Sequence, residues 1–297
     1  MQEVILWGTG KTFNHYINLI KYHEIINNIK VVGVVSNTTV FADVAGYRYI
    51  DKKEIAKYKF DIVIYFGDEK KIKEMKEEAK SVGICEEKIV LYKMLTVQNL
   101  NVEKYMELVK NPPTIFANNC WGGVVYNRLG LEFSSPLVNM YESDEDYIKF
   151  LKNPKKYLDA PLLLEQEIYS EYVNGSFPVC SCDDILLYFN HYNSFEAANA
   201  YWEKRKKRIN WNNLLVMLST ENEKSALEFS TLPYEKKICF VPFETKIKSL
   251  FHVDFRNKNE AAELPFWKII MSTVNSDYCC YDLLELIDSG NIVRVSQ

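Results

Sequence analysis

A chain of 297 residues with 47% apolar and 14% aromatic residues is long for one domain and can bury two sizeable cores. Its 36 basic and 40 acidic residues leave a net charge of −4, which argues against a nucleic-acid binder, a class that carries a basic excess. No apolar run reaches about 18 residues, so no transmembrane helix is expected.

The N-terminus enters a strand, Val4 to Trp7, without the basic start and apolar core of a signal peptide. Gly8-Thr9-Gly10 then forms a turn, and Phe13, Tyr16, Ile17 and Ile20 recur at helical spacing. A second strand, Lys30 to Val35, ends in Ser36-Asn37. A third, Asp61 to Phe66, leads through Gly67-Asp68 to a helix carrying Ile72, Met75, Ala79 and Val82. Lys88 to Tyr92 is a fourth. Strands alternating with helices at this spacing predict a parallel sheet.

The glycine turn suits the phosphates of a nucleotide or nucleotide-sugar, or it serves only to begin a helix. NAD fits less well: Phe13 takes the third glycine position, and Ser36-Asn37 stand where a ribose-binding acid belongs. Gly8, Thr9 and Gly10 are therefore the candidate nucleotide-binding residues. On the segments ILWGTG, VVGVVSN, FDIVIYFGD and GICEEKIVLY, residues 1 to about 95 resemble the small Rossmann-like domain that precedes some sugar acyltransferases and methyltransferases of surface-polysaccharide pathways. The resemblance implies a nucleotide-sugar ligand.

Val102, Tyr105, Met106 and Val109 mark one more helix, which Asn111-Pro112-Pro113 stops. The boundary falls between about 95 and 113, giving an expected domain at 1–98 and a larger α/β domain at 112–297.

Ile115 to Ala117 reads as a buried strand ending in Asn118-Asn119-Cys120-Trp121-Gly122-Gly123, with a helix beyond it through Val124, Val125 and Leu129. The two glycines leave backbone N–H groups uncovered at the helix start, which favours an anion. Ser143 begins another helix, with Asp146 completing a capping box and Tyr147, Ile148 and Leu151 facing inward. Ile185 to Phe189 has the continuous apolar character of a buried parallel strand and ends in Asn190-His191-Tyr192-Asn193. A helix with Phe195, Ala198 and Trp202 follows, then the run Glu203 to Arg208, read as a solvated face. Leu214 to Leu218 and Lys237 to Val241 are further strands, and Cys280, Leu283, Leu284 and Ile287 form a last amphipathic helix halted by Gly290.

If these strands are parallel, Asn119, Cys120, His191 and Thr220 converge at one sheet edge. Cys120 and His191 are then a candidate nucleophile and base, since a helix start lowers a thiol's pKa. Asn118, Asn119, Trp121, Gly122, Gly123, Arg128 and Thr220 are candidate anion- or substrate-binding residues, Arg128 as a bidentate donor and Trp121 with Tyr192 as sugar-stacking faces. Each also has a bland alternative, in a cap, a salt bridge or the core. Seven cysteines (85, 120, 180, 182, 239, 279 and 280) show no zinc spacing, so no metal is expected and reduced thiols in the cytoplasm are.

On ANNCWGGVVYNRLGLEFSSP, DEDYIKFLKNP, HYNSFEAANAYWEKRKKRINWNNLLVM and LPYEKKICF, residues 114 to about 245 resemble a bacterial family of unknown function described as exopolysaccharide biosynthesis proteins. The resemblances together imply a transferase acting on an activated sugar or glycan, or a non-catalytic nucleotide-sugar-binding module that recruits a pathway enzyme. The expected partner is a small molecule, and the oligomeric state is open.

Overall fold

The computed structural model describes residues 1–37, 43–254, 264–274 and 280–295. The fold is α/β, built on parallel sheets, in two compact units, Met1–Lys110 and Asn111–Gln297.

In the first unit the order is β1 (Gln2–Trp7), α1 (Lys11–Ile25), β2 (Ile29–Val35), β3 (Ile62–Tyr65), α2 (Ile72–Ser81), β4 (Ile89–Leu91) and α3 (Val102–Lys110). The strands form one parallel sheet ordered β2-β1-β3-β4. Val4, Ile5 and Leu6 are inaccessible to solvent because layers cover both faces of a parallel sheet, which explains the unbroken apolar run. Each such side chain contributes roughly 1.5–3 kcal/mol. The chain leaves β1 toward β2, then returns to place β3 on β1's other side. The crossing point, at the carboxyl ends of β1 and β3, is where sheets of this kind open a crevice.

The second unit begins with β5 (Thr114–Ala117), α4 (Trp121–Leu129), α5 (Asp144–Lys152) and α6 (Pro154–Asp159). Three strands follow, β6 (Leu162–Ser170), β7 (Gly175–Cys182) and β8 (Ile185–Tyr188), then α7 (Phe195–Lys206) and β9 (Leu214–Ser219). The described elements close with α8 (Glu223–Ser230), β10 (Lys236–Val241), β11 (Leu250–His252), α9 (Phe266–Ser272) and α10 (Leu283–Ser289). The order β11-β10-β9-β5 is parallel throughout.

Strand alternation splits this sheet's two faces. Phe116, Val216, Leu218, Cys239 and Val241 join a large core with α5, α7, α8 and the inner side of β7 and β8. On the opposite face Phe240 meets Trp121 and Tyr281, with ring centroids 5.8 and 5.4 Å away.

One expectation is corrected here. The strand before His191, β8, is not part of the parallel sheet but the edge of an antiparallel one ordered β6-β7-β8. A four-residue apolar run is buried equally well in either setting, so its composition does not discriminate between them.

Candidate functional site

At the crossing point of the first unit, Gly8 adopts φ +108° and a Cβ there would come within 3.4 Å of the Phe66 backbone, so the turn requires glycine. Thr9 donates its hydroxyl to Ser36 Oγ (3.0 Å), and Trp7 Nε1 donates to Asn37 Oδ1 (3.1 Å). Gly10 is exposed, with nothing within 4 Å of a Cβ built on it. It occupies the N-cap of α1 without a side-chain cap; the first turn holds no acid and begins with Lys11. No side chain caps the first N–H groups of this 15-residue helix.

The corresponding turn of the second unit is closed. Asn119 Oδ1 accepts from the Trp121 amide (2.9 Å), so this asparagine, one residue before the N-cap Cys120, satisfies the first N–H of α4. Trp121 is fully buried, its Nε1 donating to Tyr281 Oη at 3.3 Å, and its face is not open to a sugar. Gly122 and Gly123 are buried too. Added Cβ atoms would stand 3.2 Å from Ile115 Cγ2 and 3.1 Å from Val138 Cγ1, so the glycines let α4 lie close on β5 and on the 137–139 segment. Arg128 sits in the last turn of α4, at the far end from Asn119.

Asn118 and Thr220 do converge. Asn118 brackets Ser219, donating from Nδ2 to its carbonyl and accepting its amide on Oδ1, both at 3.1 Å. Its Nδ2 also reaches Asp144 Oδ1 (3.4 Å), and Thr220 donates to Asp144 Oδ2. Burial raises the Asp144 pKa, opposed by bonds from Thr220, Ser225 and Asn118. These residues tie the ends of β5, β9 and α5 together.

Cys120 and His191 form no dyad. Burial pushes the Cys120 thiol up to about 11, against the lowering expected at a helix start, and the opposing hydrogen bond comes from the Asn190 side chain. Asn190 precedes His191 in the turn after β8, so the turn is near the thiol while the exposed imidazole is not bonded to it. Tyr192 is buried, with its hydroxyl 2.6 Å from Arg205 Nη1. Asp183 and Asp184 pair with Lys156 (2.7 and 3.1 Å), away from His191.

Two residues escaped the sequence reading. Arg205, inside the charged run taken as solvated, is 6% exposed; it donates to Val138 O (2.9 Å) and lies 5.1 Å from the Tyr201 ring. Glu142 is 5% exposed, and neither carboxyl oxygen has a hydrogen-bond partner. Its amide donates to Asn118 O (3.1 Å), which places it at the sheet edge. The hydroxyls of Tyr147 and Ser219 are also buried without partners. Burial, reinforced by Asp146, holds the Glu142 carboxyl well above the usual carboxylate range. Flanked by Tyr141 and Ser143, it carries no sequence signal.

No group of three or more His, Cys, Asp or Glu among the described residues is arranged to hold a metal ion. No described helix is long and apolar enough to cross a membrane.

Residues 91–287 match the family described as a domain of unknown function (DUF1919), and residues 1–90 match the family described as C2185-like, N-terminal. An uncharacterized protein of Haemophilus influenzae is 30% identical over 164 residues, covering 53% of this chain and 76% of that protein.

Proposed function

For a chain that belongs to the family of the DUF1919 domain, we propose a role in handling an activated sugar, with a nucleotide or nucleotide-sugar bound through its phosphates at Gly8-Thr9-Gly10 of a Rossmann-like first unit. The observation that carries this reading is the uncapped, uncrowded start of α1 at the crossing point of β1 and β3. Lys11, which opposes the helix dipole when alone, is favourable beside a phosphate. NAD is disfavoured because the Ser36 and Asn37 side chains are engaged with Thr9 and Trp7, and no acid stands at the end of β2 to bind a ribose. The setting in surface-polysaccharide biosynthesis rests on the sequence resemblance, and a cytoplasmic location belongs to the same reading. The six described cysteines are all free thiols, as a reducing compartment maintains them.

Glu142 favours a second reading, in which the protein transfers the sugar. A buried carboxyl with no hydrogen-bond partner, its pKa raised by burial, at the carboxyl edge of a parallel sheet has the character of a proton donor. Cys120 and His191 enter neither reading as nucleophile and base.

Calorimetric titration of the full chain with UDP-glucose and with NAD tests the binding. Saturable binding of UDP-glucose, tighter than NAD, is expected; tighter NAD binding, or none by either, overturns it. Turnover of the bound donor separates transferase from binding module.

A further inference from the structure

We propose that the groove between the ends of α6 and α7 binds a sugar bearing a single anionic group, phosphate or carboxylate. This site lies within the second unit and is independent of the nucleotide site.

The groove encloses about 430 Å³. Its apolar side is Leu158, Ile209 and Trp211. Trp7, Trp121 and Trp202 are all but inaccessible, whereas Trp211 is 43% and Trp267 37% exposed. Phe116 supports its ring from below, edge to face at 6.1 Å. An indole backed in this way and partly open to solvent is a platform for the C–H surface of a pyranose.

The polar side is built around one fixed cation and two available ones. Lys206 is committed: its Nζ pairs with Glu203 (2.5 Å) and donates to Leu158 O (2.7 Å), pinning α7 to the end of α6. Lys155 and Lys207 are exposed, and neither has an ion-pair partner among the described residues. Lys155 Nζ lies over the Trp211 ring, 5.9 Å from its centroid, so a ligand stacking on that face displaces this ammonium and keeps it in reach. Asp159, exposed on the same lining, offers acceptors for sugar hydroxyls.

These groups select by composition. Three lysines against two carboxylates leave the lining at +1, which favours a ligand with a single anionic group and disfavours a polyanion such as RNA. Bare inorganic phosphate would leave the indole uncovered; a neutral sugar would leave the net positive charge of the lining unanswered.

The full chain is titrated with glucose 6-phosphate, glucuronate, glucose and inorganic phosphate. Heats are recorded together with iodide quenching of tryptophan fluorescence. At least one of the two anionic sugars should bind about tenfold more tightly than glucose and than phosphate, the scale of one charge-assisted contact. Binding should also shield a tryptophan from iodide. Preference between glucose 6-phosphate and glucuronate identifies the anion. Trp211→Ala should lose most of the affinity. Lys155→Gln combined with Lys207→Gln, two exposed changes that leave the fold intact, should erase the advantage over glucose.

Inorganic phosphate binding as tightly as the sugar phosphate would reduce the groove to an ionic patch and overturn the proposal. Equal affinity in wild type and the double lysine variant would overturn it, and so would a lack of binding by either anionic sugar.

Discussion

The side chain of Asn118 pairs with the backbone of Ser219 on both sides, donating to its carbonyl and accepting its amide at 3.1 Å each, as though β5 ran one residue further against β9. Both strands end at this point, so the amide group completes a ladder the backbone leaves unfinished. Asn118→Ala strips partners from two buried backbone groups, at roughly 1–3 kcal/mol each. For a unit of this size that predicts a melting temperature several degrees lower. A variant that melts with the wild type would remove Asn118 from the structural account.

Glu142 makes stability depend on pH. In the unfolded chain its carboxyl ionises near the ordinary value of about 4.3; in the fold burial raises that value well above. A raised folded pKa means the native state holds the proton longer. Its contribution is therefore complete below the unfolded pKa and lost as pH rises toward the folded one, at about 1.4 kcal/mol per unit. Glu142→Gln should flatten this decline between mildly acid and neutral pH and melt above the wild type at neutrality. Parallel pH profiles for the two proteins would contradict a buried, protonated Glu142.

Cys120 should resist alkylation. With the thiol pushed up to about 11, the thiolate fraction at neutral pH is on the order of one in ten thousand, and the thiolate is the reactive form. Peptide mapping after iodoacetamide treatment should show Cys85, which is exposed, modified well before Cys120. Rapid modification of Cys120 at neutral pH would restore it as a nucleophile.

Buried runs and spacing made the parallel strands readable. Val4 to Trp7, Ile115 to Ala117 and Leu214 to Leu218 announce themselves because both of their faces are covered. The β6–β7 hairpin was missed for the opposite reason. Most of β6 is exposed, and Glu165, Gln166 and Glu167 interrupt any alternation. The Asn118–Gly123 stretch was legible as a strand-to-helix turn, but not as a closed one. That depends on Ile115 and Val138 lying against its glycines, contacts that no spacing predicts. Arg205 was hidden in a run of charges because the α7 face it occupies is set by packing against Val138, Tyr192 and Tyr201.

The most direct test of the nucleotide site is Gly10→Asp. The position has φ −82° and room for a side chain, so the change introduces no strain. An aspartate there caps α1 and supplies the negative charge its first turn lacks, worth about 1 kcal/mol. The same carboxylate occupies the phosphate position and repels the ligand. The Gly10→Asp protein should be at least as stable as the wild type and should no longer bind UDP-glucose in calorimetry. Undiminished binding by a folded Gly10→Asp protein would contradict it.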